Sequence, residues 1–235
     1  MLWACGVIGS MTGCASAPAP NGKVQGESFS MQEMLQSDGN RIATLAMGEN
    51  IDSLMRLMDK LYQRNPAEWR KTAPSRDAAM RYVRAAILEK NDWPALGGQR
   101  DVQALSHALS PDFEGDRVGA FIYAMGDMLV VSHGGKTRFT LVDRLDPQRV
   151  YNAARNVEIA NWVLNHRKNA KGQALLLSNH ISEQERNLSF EREMGKVIAR
   201  LDLVASFGTE SVRRSAIGFG QGLVGGPLLQ FLPVR

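Results

Sequence analysis

The stretch "NIDSLMRLMDKLYQR", Asn50 to Arg64, decides the fold class. Its apolar residues Ile51, Leu54, Met55, Met58, Leu61 and Tyr62 recur at i, i+3, i+4 and i+7, which is one stripe of an amphipathic helix. The same period dominates the chain downstream. The reading is therefore mainly α: a single helical, bundle-like domain over about residues 28–214. Asn65-Pro66 sets an N-cap with Pro in the first turn of the next helix. Ser75 caps another, with Met80, Val83 and Ile87 on its buried side. A short helix from Asp101 to Leu109 should stop before Pro111. Val118 to Val131 is apolar except for Asp127, and at this length it reads as a buried core helix rather than a membrane span. A buried carboxylate needs a partner, and an arginine from another helix is expected for Asp127.

Asp146-Pro147 opens a long helix. Val150, Val157 and Leu164 repeat every seven residues with Ala153 and Ala160 between them, a seam whose alanines permit close helix approach. The last long helix is expected from Ser182, where Ser182 and Glu185 fit a capping box. Phe190, Met194, Val197, Ile198, Leu201, Val204 and Ala205 fall on one arc of it. The strand signals are weak: "KTRFTLVDRL", Lys136 to Leu145, alternates loosely, and Ala174 to Leu177 would be its partner. They predict one small hairpin, about 137–142 with 174–177.

Residues 215–235 form a Gly-rich apolar tail, and Ser215 to Val234 carries no charge. Gly220-x-Gly222-x-x-Gly225 matches the dinucleotide fingerprint, but that motif needs a βαβ unit around it. Gly218, Gly222 and Gly226 also fit a small-xxx-small pattern. The Gly, Pro and Gln content predicts a tail folded back over the helical body, through Phe219, Leu223, Leu228 and Phe231. Insertion into a partner or a membrane surface is the alternative.

Chemistry is sparsely signalled. The chain has 44% hydrophobic and 22% charged residues and a net charge of +4, too mild to argue for nucleic acid. The basic residues between Lys60 and Arg100 read as a solvated face with ion pairs. His107, His133, His166 and His180 include no pair at helical metal-ligand spacing, and neither HExxH nor GxSxG occurs. No catalytic, cofactor or metal residues are assigned. One helix face is a candidate for a ligand or partner. Glu158, Asn161 and Asn165 project together, flanked by Tyr151 and Trp162, and amides beside aromatics suit a sugar or a peptide. The competing reading is interhelical hydrogen bonding with aromatic packing.

The beginning of the chain concerns address. Leu2 to Met11 is apolar or small, the size of a secretory signal's apolar region. It ends in Met11-Thr12-Gly13-Cys14, which resembles the lipobox of bacterial lipoproteins. The resemblance implies a signal peptide over 1–13 and lipidation of Cys14. Residues 14–30, rich in Ala, Ser, Pro and Gly, then read as a tether that buries too little surface to fold. Cys5 would leave with the signal. Ala15-Ser16 after the cysteine implies, by the same resemblance, the outer membrane, with the domain facing the periplasm. The expected role is non-enzymatic, binding or assembling with another envelope protein or peptidoglycan. An envelope-polymer enzyme and a lipid or small-molecule carrier are the alternatives.

Overall fold

The computed structural model describes residues 36–140, 143–181 and 186–229. The described residues are mainly helical. Helix α1 spans Asp38–Arg64, with the Ser37 hydroxyl accepting from the Asn40 N–H at 3.3 Å. Its apolar stripe is buried as the spacing predicts. Asn65 ends it, and Pro66 starts the single turn α2, Pro66–Trp69. Helix α3, Arg76–Glu89, is capped by Ser75, whose hydroxyl accepts from the Ala78 N–H at 3.1 Å. It buries Val83 and Ile87 but leaves Met80 half-buried. Helix α4 spans Asp101–Ala108, α5 Arg117–Ser132 and α6 Pro147–His166. Asp146 caps α6 by accepting from the Gln148 N–H at 2.9 Å. Helix α7, Ser189–Leu229, is 41 residues long.

α5 is the centre. Almost every residue along it is buried, which explains its lack of a polar face: α1, α3, α4 and α6 all pack against it. α7 lies in the groove between α1 and α6, antiparallel to both. Along α1, Arg56 meets Glu193 at 3.1 Å, Arg200 meets Ser53 at 3.0 Å, and Gly39 lies against the Phe207 ring. Along α6, Asn161 meets Glu191 at 2.6 Å, Arg155 meets Asp202 at 2.7 Å, and Pro147 lies against Gly208. One end of the bundle thus gathers the starts of α1 and α6. The other holds the end of α1, α2 and the start of α7. The seam of Val150, Ala153, Val157, Ala160 and Leu164 is wholly buried. The basic stretch pairs across helices, Arg76 with Asp59 at 3.2 Å and Arg84 with Asp52 at 2.8 Å.

Three expectations change. The hairpin of 137–142 with 174–177 does not form among the described residues; residues 141 and 142 lie outside them. The backbone of the first segment is taken instead by side chains of α1 and of Gln36 just before it. Gln36 donates to the Phe139 carbonyl at 2.6 Å, Thr44 accepts from the Phe139 N–H at 3.1 Å, and Asn40 donates to the Thr140 carbonyl. Ala174 bridges to Lys168, and the Leu177 N–H donates to Asn65 at 2.8 Å. The strand pairing that is present is two residues long, β1 (His180–Ile181) against β2 (Arg186–Asn187). Next, α7 begins at Ser189, not Ser182, because residues 186 and 187 are extended in that pair; Ser182 and Glu185 lie outside the described residues. Last, the helix runs without a break across residue 215 to Leu229. The chain does not turn back before Leu229; Phe231 lies outside the described residues. Once a helix is nucleated, each further residue adds a hydrogen bond at no nucleation cost, which offsets the low propensity of the glycines.

Gly126 sets the distance between α5 and α3. A Cβ there would lie 2.5 Å from Ile87 Cδ1 and 2.8 Å from Cγ1, and Ile87 is itself buried. Gly126→Ala gains about 1 kcal/mol of helix propensity, but overpacking costs typically about 1–3 kcal/mol. Denaturant melts should show net destabilisation, partly relieved by adding Ile87→Val. A stabilised Gly126→Ala would show that the two helices have room to spare.

Candidate functional site

The candidate face of α6 divides in two. Asn161 and Asn165 turn toward α7 and the loop before it. Asn161 donates to Glu191 at 2.6 Å, and Asn165 to the same carboxylate at 3.1 Å. The Asn165 side-chain carbonyl accepts from Ser178 at 2.7 Å and from Asn179 at 3.1 Å. Asn179 also donates to Glu191, at 2.9 Å. These amides hold α6, the loop and α7 together, so the interhelical reading holds for them. Glu158 pairs with Arg155 at 3.1 Å, and the Arg155 guanidinium lies over the Tyr151 ring at 4.9 Å.

The aromatics behave differently. Trp162 is 61% exposed and Ile159 is 60% exposed. Trp162 stacks on His166 with ring centroids 4.8 Å apart and an interplanar angle of 16°. Tyr151, Ile159 and Trp162 therefore form a stripe along the solvent side of α6, ending in a flat Trp-His surface. Sequence reasoning missed Ile159, Arg155 and His166. A large aliphatic residue one turn before Trp162 and about two turns after Tyr151, off the buried seam, was the available signal. Glu191, Ser178 and Asn179 carried no such signal, since only the tertiary fold brings them to α6.

The buried polar groups are committed to structure. Asp127 receives Arg100 through two nitrogens, at 2.5 and 3.1 Å, and the Asp101 N–H at 2.8 Å. The expected arginine is thus present, supplied by the turn before α4. Asp116 is fully buried and accepts from the Tyr62 hydroxyl at 2.5 Å, Thr72 at 3.1 Å and the Gly119 N–H at 2.9 Å. Burial pushes its carboxyl above the usual carboxylate range against the pull of those bonds, and the same burial raises Tyr62. A shallow recess lined by Tyr62, Pro66, Trp69, Pro74 and Arg76 reaches Tyr62 but not Asp116. Among the described residues no group of three or more His, Cys, Asp or Glu could hold a metal ion, and no helix is long and apolar enough to cross a membrane. Cys14 lies outside the described residues.

No family model, curated protein or solved structure matches this chain.

His133 is buried beside Phe139, with Nδ1 2.8 Å from the Leu129 carbonyl and 3.0 Å from the Ser132 hydroxyl. A carbonyl only accepts, so Nδ1 carries the proton and Nε2 is the bare nitrogen. Nε2 is buried without a partner. Burial lowers the pKa of this imidazole below its ordinary value, against the hydrogen bond to Leu129. The unfolded chain then takes up a proton before the folded one does. His133 contributes full stability above the ordinary histidine pKa of about 6.5, and that contribution is lost as pH falls below it, by up to about 1.4 kcal/mol per unit. Urea melts should show a fall in stability between about pH 7.5 and 5.5 that is smaller in His133→Phe. Equal slopes would mean that His133 charges freely in the fold.

The two halves of the α6 face should also separate by mutation. Asn165→Ala removes hydrogen bonds to α7 and to the loop before it and should cost about 1–3 kcal/mol. Trp162→Ala should stay within about 0.5 kcal/mol of the parent, as exposed positions do. A larger loss at Trp162 than at Asn165 in thermal melts would reverse the assignment.

Proposed function

We propose that this chain is a lipid-anchored envelope lipoprotein whose helical domain docks another envelope component and carries no catalytic function. The lipobox-like Met11-Thr12-Gly13-Cys14 supports the anchor, with the domain held at the outer membrane and facing the periplasm. The observation that carries the docking role is the Tyr151–Ile159–Trp162 stripe. Large apolar groups are left in water while the amides of the same helix are used internally. Trp and Tyr are among the residues that dominate interface centres, and the Trp162-His166 stack offers a flat surface for a backbone or a sugar ring. The partner is an envelope protein or peptidoglycan.

The test places a photo-crosslinking amino acid at Ile159 or Trp162 in the native host, with Leu88 on α3 as an exposed control. A discrete adduct should form from both α6 positions and not from Leu88. It should weaken in Cys14→Ser, which should also abolish lipid attachment. No adduct from either α6 position defeats the docking role. Mass spectrometry of membrane-derived protein showing an intact Met1 and an unmodified Cys14 defeats the anchor.

A further inference from the structure

The carboxyl-terminal part of α7 leaves the helical body. Ser211, Val212, Arg213, Arg214, Ser215 and Ile217 are all exposed, and Val212 is 67% exposed. The backbone nevertheless stays helical to Leu229. At about 1.5 Å per residue, Ser211 to Leu229 projects about 28 Å. Its direction is fixed by the packing behind it. Phe207 lies against Gly39, and Gly208 against Pro147, so α7 departs from the end of the bundle where α1 begins. That is also the end at which the segment carrying Cys14 joins the body, through Gln36.

We propose that the projecting segment of α7, Ser215 to Leu229, inserts into the interfacial region of the same bilayer that holds the Cys14 lipid and so fixes the orientation of the domain. The proposal rests on the anchor reading for its choice of membrane. Four observations favour lipid as the occupant. No charged residue occurs from Ser215 to Val234. Along the helix the backbone N–H and C=O groups pair with one another, apart from the carbonyl left open by Pro227 and those of the last turn, which comes close to the condition for placing a chain in hydrocarbon. The last charges before the uncharged run are Arg213, shared with Glu210 at 2.6 Å, and Arg214, cations at the level where headgroup phosphates would lie. Ile42, three residues from Gly39, and Phe207 add exposed apolar side chains at the same end. The segment falls short of the about 30 Å hydrocarbon core, so it enters one leaflet and does not cross. Lipid chain and helix together make two attachments at one end, which is what holds a domain at a set angle.

The test measures depth at one position on the full chain. Leu223→Cys places a thiol-reactive, environment-sensitive dye on the projecting helix, and Ile159→Cys places it on α6; both variants also carry Cys5→Ser. The proteins are reconstituted in vesicles of phosphatidylethanolamine with a minority of phosphatidylglycerol, with and without bromine on the acyl chains. The dye at 223 should be quenched severalfold more by the brominated lipid than the dye at 159, and shielded from aqueous iodide only when vesicles are present. Equal, weak quenching at the two positions overturns the proposal. So does iodide shielding at 223 that is the same without vesicles, since a second copy or the body itself would then cover the helix. The dye count per chain reports the anchor separately: one dye means Cys14 is blocked, two mean it is free. In the second case the pair is remade with Cys14→Ser, and quenching at 223 decides the helix by the same criterion.

Discussion

The fold depends on two consecutive residues at the start of the central helix. Asp116 caps α5 and takes the hydroxyl of Tyr62 from the last turns of α1 and that of Thr72 from the segment after α2. Arg117 turns the other way. Its guanidinium is buried and donates to the carbonyls of Ala108 at 2.8 Å, Phe113 at 2.6 Å and Ser110, closing the turn between α4 and α5. The Arg117 N–H is taken by Glu68 of α2 at 2.7 Å. Four elements are thereby fixed against the N-terminus of the most buried helix. Taking a guanidinium out of water is costly, and here the cost is offset by carbonyl oxygens at the negative end of α4. Burial lowers the Arg117 pKa, with the nearby Glu68 charge acting against it.

From that clamp the rest of the bundle follows. α5 has almost no face left for solvent, so α1, α3, α4 and α6 must each offer it an apolar side. α3 approaches at Gly126, where the missing side chain makes room for Ile87. α7 then covers the groove between α1 and α6, and its polar contacts run along both flanks. On the α1 side, Glu193 is nearly buried and takes Arg56 at 3.1 Å and Lys196 at 3.0 Å.

What was legible in the sequence was local or periodic. Ser75 and Asp146 are side-chain caps, decided within a few residues; Asn65 stands at the N-cap position before Pro66, but its side chain goes to the Leu61 and Leu177 carbonyls instead. The Val150–Val157–Leu164 seam and the apolar run of α5 needed only helical spacing. The need of Asp127 for a cation was legible too, because a buried carboxylate demands one, although nothing local identified Arg100. The failures share a cause. Strand-like residues 137–140 lost their pairing to Gln36, Asn40 and Thr44, about a hundred residues earlier, and β-propensity yields readily to such context. On the candidate face, helical projection placed Asn161 and Asn165 on one side correctly, but it could not show that Glu191 of α7 waits there. The continuation of α7 past Ser215 was hidden because propensity was weighed residue by residue, while the 22 residues from Ser189 to Glu210 had already nucleated the helix.

The antiparallel pairing of α1 with α7 has a mechanical consequence. A pull on the chain at Gln36, away from the body, loads α1 along its own axis. The helix would have to slide past α7 and α5 as a unit, because Arg56–Glu193 and Arg200–Glu49 are spaced along its length and bear the load together. The hydrogen bonds at and just before the first turn, Gln36 to Phe139 and Asn40 to Thr140 and Asp143, would be strained first. A shearing geometry of this kind resists force far better than one that peels, so the first turn of α1 can give while the bundle behind it stays closed.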